Sequence, residues 1–261
     1  MPDFQAITRT THAGKRWKRY GSYAFAARNA LVPLSVQELP RAALHLPIAF
    51  VASDGEPFTP VAVLGFQPGQ NLFVAPDGRW QGGYTPAACR AHPFALASLP
   101  GGEQVLAFDA GSGLLAETGG EPFYDADGQP AQAVRDILAF LTQLQADRER
   151  TRHICQALAA HPLFQPWPLK VQTEAGERQV DGLHRIDEAA LHALPAEPLK
   201  ALQQAGALPL VYCQLLSMQH LPLLGRLAQA HSKPAPAPLV TPGGELDLGF
   251  LNDNGTLRFG A

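Results

Sequence analysis

Closely spaced turn signals constrain the fold of this chain more than any other feature of its sequence. Two short apolar runs, residues 61–66 and 71–75, are separated only by the turn-forming sequence QPGQ at 67–70. Pro76-Asp77-Gly78 follows the second run; there proline presets φ, aspartate accepts a local hydrogen bond and glycine adopts positive φ. No helix fits between runs spaced so closely, so the sequence predicts an antiparallel β meander rather than βαβ units.

Other segments carry strand and helix signals of the same kind. Strands are predicted at 23–27, 48–52, 94–97, 105–110 and, as a buried strand, 208–216. Ser35 and Glu38 have the spacing of a capping box, which predicts that a short helix begins there. Thr85 as N-cap and Pro86 at the first helical position predict another short helix.

The second half of the chain begins with the clearest helix of the sequence, at 130–160. Apolar residues recur there at helical spacing, among them Val134, Leu141 and Leu158. A hairpin at 169–186 follows, and then come helices at 187–194, 197–205 and 219–230. Segments 71–97 and 169–216 thus share an order of hairpin, short helix and apolar strand. The fold class predicted is α+β, with antiparallel hairpins packed against several helices and an arrangement in two similar halves.

Changes in composition divide the chain into four parts. Residues 1–19 form a polar N-terminal arm, and 20–232 form the α+β domain, with a sub-boundary near 130–165 as an alternative. The sequence PAPAP lies in a linker at 233–244, which is stiff because proline favours polyproline II. Residues 245–261 form a hairpin tail around the Asn254-Gly255 turn, which we expect to dock on a sheet edge or on a partner.

The charge and hydropathy of the chain argue against several classes of partner. Its 261 residues carry a formal net charge of -3, so no overall field attracts nucleic acid or an anionic membrane. The basic cluster of residues 15–19 around Trp17 is interpreted as a solvated arm. The N-terminus lacks the apolar core of a signal peptide, and no apolar run is long enough for a membrane span. A cytoplasmic location is the default expectation.

Motifs for known catalytic and metal-binding sites are missing from the sequence. There is no HExxH, GxSxG or P-loop, and the nine histidines are dispersed. Residues 111–116 match GxGxxA, but the glycines and proline at 119–122 prevent the helix that a dinucleotide site needs. Asp125 and Asp127 lack the closing glutamate of a calcium loop. Three separated cysteines without a CxxC pattern indicate buried free thiols. We therefore expect no cofactor and no metal.

The best candidate binding residues are Asn71, Trp80, Tyr84 and Arg90. Tryptophan and tyrosine offer flat amphipathic area at little entropic cost, and arginine offers a rigid donor fork, so these types are common in binding hot spots. The pattern predicts a face that binds a protein or peptide. In the alternative interpretation, Trp80 and Tyr84 cover the end of the sheet, while Asn71 and Arg90 tie down loops.

Two other functions stay open at this point. An enzyme would have a site assembled from distant loops, for example around Cys89, His92 and Asp109, whose spacing matches no motif. A deep pocket with a perturbed cysteine or histidine would favour the enzyme, whereas exposed aromatic side chains would favour a binding protein. A structural lattice protein would show self-association that rises with concentration.

Several phrases of the sequence occur in a specific order. They are LPIAF at 46–50, PVAVLG at 60–65, NLFV at 71–74, GRW and YTPAACRAHPF within 78–94, and GLHRIDEAALHALP at 182–195. In these residues the chain resembles the bacterial SapC family over most of 20–230. The resemblance implies a protein associated with a paracrystalline surface layer, or one that works beside a modifying enzyme. It implies no catalytic residue, because none is established for the family.

Overall fold

The computed structural model describes residues 3–53, 56–99, 101–173 and 176–232. The predicted linker at 233–244 and hairpin tail at 245–261 lie outside the described residues. The strands are β1 (Phe4–Ala6), β2 (Arg16–Trp17), β3 (Leu31–Pro33), β4 (Ile48–Ser53), β5 (Glu56–Val63), β6 (Phe94–Ser98), β7 (Gln104–Asp109), β8 (Leu115–Ala116), β9 (Glu121–Pro122), β10 (Phe164–Pro166), β11 (Leu169–Thr173), β12 (Gly176–Val180) and β13 (Leu183–Ile186). The helices are α1 (Arg9–His12), α2 (Leu39–Ala42), α3 (Ala87–Arg90), α4 (Gln132–Ala159), α5 (Glu188–His192), α6 (Ala196–Gln204), α7 (Ala207–Ser217) and α8 (Leu221–Ser232).

Antiparallel pairs form the sheets of the described part of the chain. The largest sheet has five strands in the order β10-β13-β4-β5-β3 and combines strands from both halves of the sequence. A second sheet, β1-β7-β6, contains the strands predicted at 94–97 and 105–110, which pair as the hairpin of β6 and β7. A smaller sheet, β8-β2-β9, and the hairpin of β11 and β12 complete the set. These sheets and the helices packed on them confirm the α+β class.

Helix α4 confirms the strongest helix prediction and connects two apolar cores. Its first half contributes Val134 and Leu141 to a core around β6 and β7. Its second half contributes Ile154 and Leu158 to a larger core around the five-stranded sheet. The helix runs without a break through its charged segment at 146–152, within the region where the sequence placed an alternative sub-boundary.

Residues of the predicted N-terminal arm pack against the rest of the protein. Strand β1 pairs with β7, so that Phe4 lies opposite Asp109. Trp17 in β2 is only 3% exposed, and its ring meets that of Phe94 edge to face with the centroids 4.8 Å apart. Burying a large indole ring is favourable enough to hold this segment down while neighbouring cations such as Lys18 stay in solvent. From residue 4 onward, the segment predicted as a polar N-terminal arm is therefore packed against the rest of the protein.

The buried strand predicted at 208–216 is wrong, because these residues belong to α7. A continuous apolar run does not distinguish a buried strand from a buried helix. The Gln214 side chain of α7 is fully buried; its Oε1 accepts a hydrogen bond from Ile186 N (3.0 Å) and its Nε2 donates to Ile48 O (3.2 Å). It thereby bridges β13 and β4 just beyond their last paired residues. Segments 71–97 and 169–216 consequently do not share the expected order of elements.

The meander differs from its prediction at 71–75, which forms turns instead of a strand. Strand β5 pairs with β4 and β3 rather than with this segment. The Asn71 Oδ1 atom accepts a hydrogen bond from Phe73 N (3.0 Å), and such local bonds divert the backbone from a ladder. Val74 and Trp80 still oppose each other in an isolated bridge across the predicted turn, where Gly78 has a φ of +82°.

Two further local predictions are shifted or wrong. Helix α3 is capped by Pro86 and not by Thr85, so it begins one residue later than expected. The segment predicted as a strand at 23–27 contains a short 3-10 helix, Ala24–Ala26. The Ser22 hydroxyl accepts a hydrogen bond from Ala24 N (3.2 Å), which stabilises a turn in place of extended backbone.

Candidate binding site

A buried carboxylate, that of Glu38, organises the surroundings of Tyr84 and Arg90. Glu38 is 6% exposed, and its Oε1 accepts hydrogen bonds from Ser35 N (2.8 Å) and Ser35 Oγ (3.3 Å). Its Oε2 accepts from Tyr84 OH (2.9 Å) and Ala87 N (2.8 Å). Four donors compensate this carboxylate for its lost hydration. The glutamate of the predicted capping box thus joins the start of α2 to the start of α3.

Tyr84 lies half-buried between this carboxylate and the surface. Burial raises the pKa of its phenol, and the nearby charge of Glu38 and the hydrogen bond to it act in the same direction. The Arg90 guanidinium opposes this shift more weakly and donates to the Tyr84 oxygen at 3.5 Å. Because the phenol stays protonated at physiological pH, Tyr84 acts as a fixed donor to Glu38.

Arg90 is exposed, but two aromatic rings hold it in place. Its guanidinium carbon lies 5.9 Å from the centroid of the Tyr84 ring and 5.4 Å from that of Phe140 on α4. Both distances are typical of cation–π contacts. A recess of about 120 Å³ is lined by these three side chains together with Arg41 and Asp147, and we call it the Arg90 recess. Among the described residues, Arg90 makes no ion pair.

Trp80 orders the loop that leads to Tyr84. Its indole Nε1 donates a hydrogen bond to Tyr84 O (3.0 Å). Its ring stacks on that of Phe73 with the centroids 5.8 Å apart and lies 5.5 Å from that of Tyr23. These contacts hold the loop in place. The indole is partly exposed, so Trp80 also contributes area to the surface.

Asn71 does not belong to this surface, which corrects the predicted binding set. Its side chain is 3% exposed, and its amide donates to Ala26 O (3.0 Å) and accepts from Phe73 N (3.0 Å). Both ends of the amide are therefore used inside the protein. Asn71 thus holds a loop, while Trp80 and Arg90 each contact Tyr84.

The residues of the enzyme alternative lie around a second cavity, of about 350 Å³. Cys89 and His92 both line this cavity, beside Phe25, whereas Asp109 is not part of its lining. Asp109 accepts hydrogen bonds from the backbone N–H of Asp3 (2.8 Å) and of Gly111 (3.1 Å). In the described part of the chain, no side-chain hydrogen bond joins any two of the three residues.

Burial shifts the pKa values of Cys89 and His92 so that both side chains favour their neutral forms. It raises the pKa of the Cys89 thiol to about 11, with a smaller contribution from the charge of Glu38. It lowers the pKa of His92, although the charge of Asp109 acts in the opposite direction. The imidazole also stacks on the Phe25 ring with the centroids 3.8 Å apart. A protonated thiol beside a stacked neutral imidazole lacks the ion pair that activates a nucleophilic cysteine.

Cys89 should consequently react slowly with iodoacetamide. A pKa of about 11 leaves roughly one thiol in a thousand as thiolate at about pH 8, and the thiolate is the nucleophile. Mass-spectrometric peptide mapping after timed exposure should show alkylation of Cys89 at least tenfold slower in the native protein than in urea, as expected for about two pKa units. Equal rates in the two states would contradict an inert thiol and would favour the enzyme alternative.

Sequence reasoning missed Glu38, Arg41 and Phe140 as neighbours of Tyr84 and Arg90. Glu38 did carry a signal, because a capping-box glutamate is expected to bond to the helix start. Nothing local indicated its second set of partners, since Tyr84 is 46 positions away. Phe140 lies in the predicted helix, but only tertiary packing brings it beneath Arg90.

The geometry defines an α+β protein with a buried, hydrogen-bonded carboxylate, that of Glu38, and an adjacent cationic recess. The SapC family model matches residues 7–224, which confirms the resemblance, and the chain belongs to the SapC family. No curated protein and no solved structure matches the chain. Within the described ranges, no helix is both long and apolar enough to span a bilayer, and no group of three His, Cys, Asp or Glu side chains could hold a metal ion.

Proposed function

We propose that this SapC-family chain is a binding protein without catalytic activity of its own, and that it holds a protein or peptide partner at the Arg90 recess. The observation that carries the proposal is the state of Arg90. Its guanidinium is exposed, is positioned by the rings of Tyr84 and Phe140, and has no ion pair among the described residues. A cation held in place before binding loses little entropy when an acceptor arrives.

The finer role is that of an accessory protein, in surface-layer assembly or beside a modifying enzyme. This role follows from the resemblance to the family and is consistent with a recess built for contact rather than for reaction. The enzyme alternative is favoured by the cavity that Cys89 and His92 line and by the shifted pKa values of both side chains. The protonated state of the Cys89 thiol makes binding the better supported function.

Replacement of Arg90 by alanine should weaken capture of the partner about tenfold. Wild-type protein, Arg90→Ala and Arg79→Ala would be immobilised in parallel and exposed to extract of the native host. Arg79 is a matched control, because it is also exposed but pairs with Asp77 at 2.6 Å. We expect the captured amount of at least one protein, measured by quantitative mass spectrometry, to fall about tenfold with Arg90→Ala and to stay unchanged with Arg79→Ala. A loss of about tenfold is the effect of one hot-spot arginine. Identical protein sets on all three surfaces would contradict the proposal.

A further inference from the structure

The Arg90 recess is one end of a longer seam between the segment 33–41 and one face of α4. The residues of α4 that line the seam recur at helical spacing: Phe140, Gln143, Leu144, Asp147, Arg148, Thr151 and Arg152. Near the Arg152 end of this face, Thr151 Oγ1 accepts a hydrogen bond from Val36 N (2.8 Å) and donates one to Asp147 O (2.6 Å). These bonds hold the segment to the helix and leave a recess on either side of them.

The second recess, which we call the Arg148 recess, has a volume of about 330 Å³. Its floor is formed by apolar and prolyl residues, including Leu34, Phe58 and Pro60, and its rim by Arg148 and Arg152. A groove of this composition offers apolar contacts for side chains and donors for charged groups. It therefore suits a peptide better than a small polar ion.

The charge of the seam differs in sign from that of the whole chain. Four exposed arginines, Arg41, Arg90, Arg148 and Arg152, line the two recesses, against the two carboxylates of Glu38 and Asp147. The lining thus has an excess of two positive charges in a chain whose net charge is -3.

The four arginines also keep most of their donors free. Among the described residues, neither Arg41 nor Arg148 makes a side-chain hydrogen bond or an ion pair, and Arg152 approaches Glu149 only to 3.9 Å. The Glu38 carboxylate, in contrast, is already occupied by its four donors. The Asp147 carboxylate accepts one side-chain hydrogen bond, from Gln143 Nε2 (3.1 Å), and has no ion pair among the described residues. The four arginines therefore outnumber the one lining carboxylate that keeps free acceptors, and arginine donors bind carboxylates well.

We propose that this seam binds an extended acidic segment of a partner protein. The proposal rests on the proposed function and deepens it by naming the chemistry of the partner. Phe140 and Arg152 are twelve residues apart, about 18 Å along the helix axis. An extended peptide advances about 3.3 Å per residue, so five or six residues cover this length. A carboxylate at each end of the segment meets an arginine pair, and an apolar side chain on the same face, two residues from the carboxylate at Arg148 and Arg152, meets the floor of the Arg148 recess.

The labelled pentapeptide Glu-Ser-Leu-Ser-Glu is the probe that tests this proposal, because an extended backbone places its two Glu side chains and its Leu side chain on one face. Its control is the same peptide with Gln in place of both Glu. Fluorescence anisotropy at low salt should show at least tenfold tighter binding of the Glu peptide, about what one or two charge-assisted contacts supply. Replacing Arg41 and Arg90 by Gln, or Arg148 and Arg152 by Gln, should each weaken binding at least fivefold, about 1 kcal/mol. The variant Arg28→Gln with Arg226→Gln removes two exposed arginines outside the seam and should leave binding unchanged.

Five results would overturn the proposal. Equal binding of the Gln peptide, or an equal loss in the Arg28 and Arg226 variant, would show that no specific charge contact forms at the seam. Binding of single-stranded DNA as tight as that of the Glu peptide would indicate a general polyanion surface. Self-association that both seam variants abolish would identify a second copy of the chain as the occupant. If the Glu peptide does not bind while capture still depends on Arg90, the acidic segment is wrong and the proposed function stands.

Discussion

Glu38→Ala should unfold far more readily than the wild-type protein. The substitution leaves Ser35 N, Ala87 N and the Tyr84 hydroxyl without their acceptor in a site that is largely buried. Each buried unsatisfied donor costs about 1–3 kcal/mol, so we expect the free energy of unfolding to fall by about 3–5 kcal/mol in urea titrations. The Arg90 recess should be lost in the same variant, because Tyr84 is no longer anchored.

A control variant separates the loss of stability in Glu38→Ala from the general effect of removing a glutamate. Glu117 is exposed, and Glu117→Ala should change the free energy of unfolding by less than about 0.5 kcal/mol. Glu38→Gln keeps one acceptor oxygen but presents an amide donor to the remaining groups, and an intermediate loss is expected. A loss below about 1 kcal/mol for Glu38→Ala would mean that water satisfies the freed donors and that the carboxylate does not organise the site.

Gln214→Leu is expected to have the second largest effect on stability. The side chains have similar volumes, so the packing of α7 is largely retained while Ile186 N and Ile48 O lose their partner. Both groups are buried where β13 and β4 cease to pair, and the expected loss is about 2–4 kcal/mol in the same titrations. The m value should stay constant, since the surface exposed on unfolding is unchanged.

An exposed glutamine provides the control for this variant. Gln203 on α6 faces solvent, and Gln203→Leu should leave the free energy of unfolding within about 0.5 kcal/mol of the wild-type value. If Gln214→Leu were as stable as Gln203→Leu, the Gln214 bridge between the strands would contribute nothing. The end of their pairing would then be stabilised by apolar packing and by the Ser217 hydroxyl, which accepts a hydrogen bond from Ile48 N (2.9 Å).

The features predicted correctly from sequence have local causes. Helix α4 follows from apolar spacing over 28 residues, and the hairpin of β6 and β7 follows from two apolar runs joined by glycines. Segment 71–75 was missed because a single buried side chain, Asn71, competes with the ladder. Segment 208–216 was missed because its apolar run fits both secondary structures, and only Gln214 indicates which face meets the sheet.

The candidate site could be predicted only in part for the same reason. Trp80, Tyr84 and Arg90 lie together because one loop and one short helix carry them within eleven residues. Arg41 and Phe140 come from distant parts of the chain, and their positions depend on how α4 packs against the segment 33–41. Local sequence patterns relate residues that are close along the chain, so they do not predict such long-range contacts.

Because α4 belongs to both apolar cores, the two cores should unfold together. Val134 and Leu141 form one wall of the first core, while Ile154 and Leu158 form one wall of the second. Melting either core frees half of a continuous helix, and a frayed half-helix destabilises the half that remains. Loss of structure should accordingly be all-or-none across the two cores, and no cut within this helix would yield a fragment that folds by itself.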